Sequence, residues 1–587
     1  EAKVLVDKTI AHLEDNEKHN WKTKVLFLAD DGDENSHISN ADIVASNFAT
    51  QNPDYLVKKI YIDAFQKVVT SNSSTAPMAK EAFMKLLQSG VLFVNYVGHG
   101  GTHNWSSENI LTQKDIQALN NKCLPLFVTL TCNFSRFDAT AQSGGEMLLT
   151  NPNGGAVMVF SSARTAYSSQ NHRLNVAFIN QFGKKQNGEH LSVGEMVMNA
   201  KNELTGQVNK RSFFLFGDPA LKLHTFDEYR VETTTINGKA VTSNDTIGAL
   251  QEVCFGGRVV DENGDVATDF NGYVHVLVFD KADMVKTLGQ TTEPFVYSDY
   301  PNQIYLGKAK VESGLFEVVF RVPKDIRYSY GNGRILYYAQ NEETEEEAVG
   351  HYENFIVGGE SDSYVVENYG PEIDLYLNTP LFRSGDKVNA SPLMYVTVED
   401  ESGINIVGSG IGHDIVMRID GDPKQEVVLN DYYESEFGNY KKGNIRYKLS
   451  DLPNGTHSIF FRVWDLQNNS STIDVFFEVE EGLTPVLYSI RCYPNPTSDI
   501  VYFVYEHDRP EEVLSCEAAV YDFRGMKIWT SAKQPFSSGQ RTEPIAWNLK
   551  DENGKRVGAG IYVLRMSVAI EDGDPIYHTA KIIVKSQ

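Results

Sequence analysis

The sequence predicts an α/β domain with a parallel, helix-flanked sheet, followed by a series of β-sandwich domains. In the first part of the chain, short apolar runs that suit buried strands alternate with segments of helical periodicity, and such alternation builds parallel sheets. From about residue 228 the helical periods stop, and short alternating runs recur between glycine and asparagine turns, as in β-sandwiches. The 587 residues fit about four domains. We place these domains at 1–227, 228–365, 366–482 and 483–587.

The predicted elements of the first domain alternate in the order expected for a parallel sheet. Amphipathic patterns predict helices at 1–17, 41–49, 76–90, 112–119 and 193–204. Apolar runs predict strands at 25–31, 57–63 and 154–162, and at the beginnings of 91–101 (VLFVNYVGHGG) and 124–138 (LPLFVTLTCNFSRFD).

Two of these strands end in reactive side chains. His99 lies in a Gly-His-Gly-Gly loop after one strand, and Cys132 follows another strand directly. Because the carboxyl ends of neighbouring strands in an open α/β sheet meet at one crevice, we expect the thiol and the imidazole to act as nucleophile and base. The glycines allow backbone N–H groups to approach a substrate carbonyl, as an oxyanion hole requires. The pair therefore predicts a cysteine peptidase centre.

Other interpretations of the same side chains are weaker. A single cysteine after a strand is usually a small buried hydrophobe, and a single histidine in a glycine loop is usually a turn residue. A zinc site formed by His99, His103 and Cys132 is disfavoured, because zinc-binding histidines at i and i+4 obtain their geometry from a helix. A Gly-Gly loop does not supply that geometry.

The motifs around this pair resemble the gingipain family of cysteine peptidases. The resemblance covers roughly residues 1–225 and rests on four segments in the family's order: NYVGHG, LPLFVTLTC, GGAVMVFSSA and FGDPALKL. It implies the caspase-like fold that gingipains share. It also implies that Cys132 is the nucleophile, that His99 is the general base, and that the backbone N–H groups of Gly100 and Cys132 form the oxyanion hole.

The resemblance also implies further site residues. Gingipains hold an acidic residue at the end of the first strand to orient the imidazole, and an ungapped alignment of VLFLADDGD places Asp31 there, with Asp30 as the alternative. The same alignment places Asp42 where arginine-specific gingipains hold the acidic residue of their primary substrate pocket. An aspartate on the solvent-facing side of a helix would be equally consistent with the sequence. Trp105 is a candidate wall of the substrate groove or a core residue. Gingipains carry structural calcium, for which the loop 30–34 is a candidate; we favour a solvated acidic turn and expect no other cofactor.

The end of the chain resembles the C-terminal sorting domain of type IX secretion. The resemblance rests on YPNPTSD (493–499), AVYDFRG (519–525), IAWNLKDENGKRVGAGIYVLRM (545–566) and IIVK (582–585). The prolines favour an extended chain and the glycines favour hairpin turns, so a β-sandwich without a sorting role is the alternative. The two central β-domains carry no functional signal beyond that of a scaffold.

Together the two resemblances imply the sortase of type IX secretion. Such an enzyme removes the sorting domain from exported cargo proteins, links the cargo to anionic lipopolysaccharide at the cell surface, and docks on the outer-membrane barrel protein PorV through its own sorting domain. The alternatives are a secreted, cargo-type gingipain-like protease and an inactive gingipain-like adhesin or scaffold. The family's earlier subdomain is not found ahead of the first helix, so we expect the chain to begin in the middle of a larger protein.

Composition narrows the partners and the chemistry. The net charge of −25 and the lack of a basic cluster argue against nucleic acid as a partner. No run approaches the roughly 18–20 apolar residues of a membrane helix. The five cysteines are too scattered for a disulfide framework, and their odd number leaves at least one free thiol.

Overall fold

The computed structural model divides the chain into two compact units, residues 1–364 and 365–587, which we describe separately. The residues that it describes are 1–14, 20–69, 74–206, 208–242, 245–361, 364–407, 412–423, 426–450, 452–480, 482–510, 514–531, 534–536, 540–542, 544–570 and 575–586.

The first unit begins with a six-stranded sheet flanked by helices. The strands of this region are β1 (Lys24–Ala29), β2 (Leu56–Tyr61), β3 (Val68–Val69), β4 (Ser74–Thr75), β5 (Phe93–Val97), β6 (Asn104–Trp105), β7 (Leu111–Thr112), β8 (Leu126–Leu130), β9 (Met158–Ser162), β10 (Lys185–Gln186), β11 (Glu189–His190) and β12 (Phe213–Phe216). The helices are α1 (Ala2–Leu13), α2 (Ser36–Gln51), α3 (Pro77–Ser89), α4 (Gln113–Ala118), α5 (Gly144–Thr150), α6 (Ser168–Ile179) and α7 (Val193–Glu203). The sheet order is β12-β9-β8-β5-β1-β2; β12 is antiparallel to β9, and the other neighbours are parallel.

Helices cover both faces of this sheet, which is why its central strands β1, β5, β8 and β9 are buried almost throughout. In β1, Phe27 belongs to a core cluster with side chains of α2, α6 and α7. The next residue, Leu28, points to the opposite face and belongs to a cluster with side chains of α3, α4 and α5. The predicted parallel, helix-flanked α/β domain is therefore confirmed.

Local sequence signals explain where the helices begin and end. Pro77 occupies the first turn of α3, and Gly90 ends that helix with a φ of 86°, in the left-handed region that glycine tolerates. Ser192 begins α7 in a capping box with Glu195.

The register of the three central strands aligns their carboxyl ends. Ala29 of β1 pairs with Val97 of β5, and Val97 pairs with Leu130 of β8. The loops that follow these strands therefore leave the sheet side by side at one edge. This edge is where the sequence places its candidate catalytic residues.

The remainder of the first unit is a β-domain. Its strands are β13 (Tyr229–Ile236), β14 (Lys239–Ala240), β15 (Thr246–Ala249), β16 (Glu252–Asp261), β17 (Gly272–Phe279), β18 (Asp283–Lys286), β19 (Val296–Asp299), β20 (Gln303–Val311), β21 (Leu315–Arg321), β22 (Gly331–Asn332), β23 (Arg334–Asn341), β24 (Glu347–Tyr352) and β25 (Ile356–Glu360). The main sheet has the order β20-β17-β23-β24-β13-β16-β21, and β15, β25 and β22 form a smaller sheet. The separate hairpin β18-β19 packs on the α/β domain, where Tyr297 contacts Tyr61 edge-on at a ring distance of 4.7 Å.

The second unit contains two further pairs of β-sheets. Its strands are β26 (Glu372–Leu377), β27 (Lys387–Val388), β28 (Leu393–Glu399), β29 (Val416–Ile419), β30 (Glu426–Val428), β31 (Tyr433–Glu436), β32 (Asn439–Lys448), β33 (Gly455–Trp464), β34 (Ser470–Val479), β35 (Leu487–Tyr493), β36 (Val501–His507), β37 (Leu514–Tyr521), β38 (Lys527–Thr530), β39 (Gln534–Phe536), β40 (Ile545–Trp547), β41 (Gly560–Ile570) and β42 (Ile576–Val584). The first pair has the orders β26-β28-β32-β31 and β27-β34-β33-β29-β30; the second has β35-β36-β40 and β38-β37-β41-β42. The last pair encloses a core that includes Phe503, Trp547 and Met566. The predicted change from α/β to β architecture is confirmed.

No helix in the described part of the chain has both the length and the apolar character needed to cross a membrane.

Candidate active site

Cys132 lies in a tight turn directly beyond β8. The turn is closed by Asn133, which has a φ of 57° and donates its N–H to the carbonyl of Arg164 at 3.2 Å. The half-buried thiol faces the loop after β9, where the N–H of Ala166 points at Sγ from 3.3 Å. The thiol in turn faces the carbonyl of Ala166 at 3.6 Å, so the backbone of Ala166 holds Sγ from both sides.

His99 lies in the glycine loop beyond β5, the strand next to β8. Its N–H donates to Oδ2 of Asp30 at 2.7 Å, and its carbonyl accepts hydrogen bonds from the Tyr96 hydroxyl at 2.6 Å and from the Ser106 N–H at 2.8 Å. The backbone is thus held at three points, while 60% of the imidazole surface is exposed. An exposed imidazole on a fixed backbone suits a general base.

The histidine loop and the cysteine turn are in direct contact. A Cβ added to Gly100 would overlap with Oγ1 of Thr131, the residue before Cys132, so only a glycine allows this approach. The N–H groups of Gly100 and Cys132 make no hydrogen bond with any other described residue of the chain. Both are therefore free to donate to a substrate oxygen, and their role as an oxyanion hole stays a prediction.

The structure does not place Asp31 beside the imidazole. Both of its carboxylate oxygens accept hydrogen bonds from the Lys67 ammonium, at 2.7 and 2.9 Å, and Thr291 adds a third. Burial alone would raise the pKa of Asp31, but the bonds from Lys67 and Thr291 outweigh it and lower that pKa. Asp31 is therefore held in a buried ion pair, and its contacts do not support the role predicted for it.

Asp30, the predicted alternative, fixes the loop and not the ring of His99. Its carboxylate accepts hydrogen bonds from the N–H groups of His99 and Gly32, at 2.7 and 3.1 Å, and from Nδ1 of His37. The carboxylate next to the imidazole is that of Asp33, with Oδ1 3.5 Å from Nε2 of His99. Neither Asp33 nor His37 was identified from the sequence, although they are four residues apart, Asp33 just before α2 and His37 in its first turn.

The two predicted substrate-pocket residues have structural partners instead. Trp105 is fully buried and stacks on Tyr96 at a ring distance of 4.3 Å, so the prediction that it walls a groove is wrong. Asp42 accepts hydrogen bonds from Lys59 at 2.7 Å and from the Tyr61 hydroxyl at 2.9 Å. Because Lys59 already neutralises its charge, a basic substrate side chain would have to displace this lysine. A pocket role for Asp42 stays a prediction without structural support.

The loop 30–34 fits the calcium of the family poorly. The carboxylates of Asp30 and Asp31 accept hydrogen bonds from imidazole, amide and ammonium nitrogens. The ammonium of Lys67 carries the charge that calcium would bring. These two carboxylates are therefore satisfied by the protein itself.

A segment from the β-domain supports the site, which the sequence did not predict. The loop 287–295, which joins β18 to β19, reaches the α/β domain beyond β1. The side-chain carbonyl of Gln290 accepts the Lys67 N–H at 2.8 Å, and the carbonyl of Glu293 accepts from Nδ2 of Asn35 at 2.6 Å. With the Thr291 bond to Asp31, these contacts fix the loop that carries Asp33.

Comparison with known proteins identifies the α/β domain. Residues 1–224 match the model of peptidase family C25. This part of the chain belongs to peptidase family C25. The C25 domain is accordingly a gingipain-like cysteine peptidase domain, and Cys132 and His99 are its candidate catalytic residues.

Gingipains and PorU are among the proteins to which the chain is similar. Gingipain R1 of Porphyromonas gingivalis is 23% identical over 336 residues, which is 51% of this chain and 32% of that protein. Dimeric latent PorU from Porphyromonas gingivalis is 31% identical, with 89% of this chain and 48% of that chain covered and a TM-score of 0.32. The Arg-specific cysteine proteinase gingipain R is 16% identical over 61% of this chain and 72% of its own, with a TM-score of 0.31. The chain thus spans about a third of the length of gingipain R1 and about half of that of PorU.

Proposed function

We propose that this chain is a cysteine peptidase that acts as a sortase of type IX secretion at the surface of a Gram-negative bacterium. It removes the C-terminal sorting domain from exported cargo proteins and links the cargo to anionic lipopolysaccharide. The observation that carries the proposal is the convergence of Cys132 and His99 on adjacent strand ends of a C25 domain. The same chain ends in a β-sandwich whose motifs resemble a sorting domain.

The chemistry follows from the two side chains and the two free N–H groups. His99 takes the thiol proton, and the sulfur of Cys132 attacks the carbonyl carbon of the peptide bond ahead of the sorting domain. The N–H groups of Gly100 and Cys132 stabilise the oxyanion, and the loss of one such donor costs about 2.7–4 kcal/mol of barrier. The C–N bond then breaks, and His99 returns its proton to the departing amine.

The acyl-enzyme thioester is resolved by an amine of the lipopolysaccharide acceptor. The amine nitrogen attacks the thioester carbon while His99 takes one of its protons, and the C–S bond breaks. The proton returns from His99 to the sulfur, which restores the free thiol. Water attacking the same carbon gives hydrolysis in place of transfer.

Exposed apolar side chains on the last β-sandwich support its docking on PorV. Ile561 and Val563 point outward from β41, with 51% and 40% of their surfaces exposed, and Phe523 in the turn after β37 is 83% exposed. Clustered exposed apolar side chains mark interaction surfaces. Ile561→Lys is expected to abolish co-purification with PorV, and Val296→Lys, at an exposed apolar residue of the first unit, is expected to leave it unchanged. Retention of PorV by the Ile561 variant would contradict this docking surface.

The sortase function is tested by mass spectrometry of cargo from cells whose full-length protein carries Cys132→Ala. We expect cargo that retains its sorting domain and lacks the lipopolysaccharide adduct. Cys254→Ala, at another half-buried thiol of the same unit, is the matched control and should leave cargo processing intact. Cargo that is cleaved and anchored normally in the Cys132 variant would overturn the assignment in favour of a cargo-type protease or a scaffold.

A further inference from the structure

Three side chains beside the catalytic centre form an unexpected ligand cluster. One ligand atom each of Asp33, His37 and His99 lies within 4.8 Å of the other two. Asp33 places Oδ2 at 3.5 Å from Nε2 of His37 and Oδ1 at 3.5 Å from Nε2 of His99. The two imidazole rings meet edge-on at a centroid distance of 4.8 Å. We call this group the Asp33 cluster.

The buried member of the Asp33 cluster is already oriented for a metal. His37 is 5% exposed and donates Nδ1–H to the carboxylate of Asp30. This bond orients the ring so that Nε2 faces Asp33, where a bound metal would take the place of the Nε2 proton. A carboxylate that holds the far nitrogen of a histidine is the usual second shell of zinc sites, where it raises the basicity of the ligand.

The backbone is shaped to bring the two imidazoles together. A Cβ on Gly32 would lie 2.8 Å from Nε2 of His99 and 2.9 Å from Nδ1 of His37, so a side chain there would separate the rings. The next residues, Asp33, Glu34 and Asn35, have φ values of 53°, 56° and 64°. Consecutive left-handed non-glycine residues are costly and persist only where the surrounding structure holds them. Such strain is frequent at functional sites.

We propose that Asp33, His37 and His99 bind Zn²⁺, and that bound Zn²⁺ switches the peptidase off. Two imidazole nitrogens and one carboxylate oxygen are a ligand set that zinc takes in proteins, with a fourth position left open. The metal takes the one nitrogen lone pair that the neutral imidazole of His99 offers, so the ring no longer accepts the proton of the Cys132 thiol. Metal binding stands on the geometry of the Asp33 cluster alone, whereas the inhibition rests on the proposed peptidase function.

The binding site is tested by titrating Zn²⁺ into the full chain against a chromophoric zinc indicator. We expect one tight equivalent in the wild type and at least about tenfold weaker binding in His37→Gln, since loss of even an outer-shell partner costs about 10–100-fold. Asp33→Asn, at a side chain that is 53% exposed, is a second variant whose folding does not depend on a buried group. His103→Gln, at an exposed histidine of the same glycine loop, is the control that keeps wild-type affinity. Wild-type affinity in both site variants, or equal weakening by His103→Gln, would overturn the site.

The inhibition is tested by the rate at which a peptide-based thiol electrophile labels Cys132. Saturating Zn²⁺ is expected to slow labelling at least about tenfold in the wild type, and a chelator is expected to restore it. A labelling rate that Zn²⁺ does not change at saturation would refute the inhibition. Failure of the wild type to label before Zn²⁺ is added would instead refute the proposed peptidase function. The binding titration would still test the metal site, because it does not depend on peptidase activity.

Discussion

Glu347 joins the C25 domain to the β-domain of the first unit, and its replacement is expected to weaken this unit strongly. Its carboxylate accepts hydrogen bonds from Lys22 at 3.1 Å to both oxygens, from Nε2 of His224 at 2.7 Å, and from the Tyr338 hydroxyl. The side chain is 10% exposed. Burial alone would raise the pKa of Glu347, but the hydrogen bond and charge of His224, followed by the Tyr338 hydroxyl and the charge of Lys22, lower it from 4.5 to about 2.

The size of the effect follows from this change in pKa. A difference of one between the folded-state and unfolded-state pKa corresponds to about 1.36 kcal/mol. The ionisation of Glu347 therefore contributes about 3 kcal/mol to the free energy of folding at neutral pH. Because the folded-state pKa is the lower one, this stability is complete above pH 4.5 and is lost as the pH falls from 4.5 towards 2. Glu347→Gln, which carries no charge at any pH, should lose it throughout.

Urea unfolding of the two proteins, followed by tryptophan fluorescence at a series of pH values, measures this difference. We expect Glu347→Gln to be less stable by about 3 kcal/mol at pH 7, with a difference that shrinks below pH 4.5. Glu343→Gln, at an exposed carboxylate in the turn before β24, is the matched control and should leave the unfolding midpoint unchanged. A difference below about 1 kcal/mol, typical of a surface ion pair, or one that is the same at pH 7 and pH 3, would refute the reasoning.

Three further predictions concern the candidate site and its thiols. Gly32→Ala places a Cβ 2.7 Å from the imidazole of His99 and should displace this ring. We expect electrophile labelling of Cys132 to slow by about 100-fold while the unfolding midpoint stays unchanged. An unchanged labelling rate would contradict the close packing. Lys67→Met leaves the buried carboxylates of Asp31 and Glu108 without their cation, and we expect urea unfolding to show a loss of about 3–5 kcal/mol in the free energy of unfolding. A loss below about 1 kcal/mol, typical of exposed ion pairs, would contradict their burial. Burial raises the pKa of the Cys516 thiol to about 11, so peptide mapping after iodoacetamide treatment at pH 7 should find Cys132 modified and Cys516 intact, and equal labelling would contradict this.

Most of the α/β fold and the proximity of the candidate catalytic pair could be predicted because their signals are local. Apolar runs, glycine loops and the order of strands and helices specify that His99 and Cys132 follow buried parallel strands. Parallel pairing in register then brings them together, since Val97 and Leu130 are direct neighbours. The acidic partner of His99 could not be predicted in this way. Asp30, Asp31 and Asp33 are close in sequence, and their different roles depend on partners elsewhere in the chain.

Contacts with distant parts of the chain determine the different roles of Asp30, Asp31 and Asp33. Asp31 was excluded by Lys67, which follows β2, and by Thr291, which belongs to the β-domain. The choice between groove wall and core for Trp105 was open for a related reason, because its burial depends on stacking against Tyr96 of β5.

The sequence by itself determined the parallel sheet, the succession of β-domains, and the placement of a thiol and an imidazole at strand ends. These follow from the periodicity of the apolar residues and from the rule that the carboxyl ends of neighbouring parallel strands lie at the same edge of the sheet. Only the tertiary structure decided that Asp33 and His37, and not Asp31, surround the imidazole of His99. The physical reason is that a carboxylate takes its role from the charges that it meets after folding, and Lys67 reaches Asp31 only when β2 has been laid beside β1.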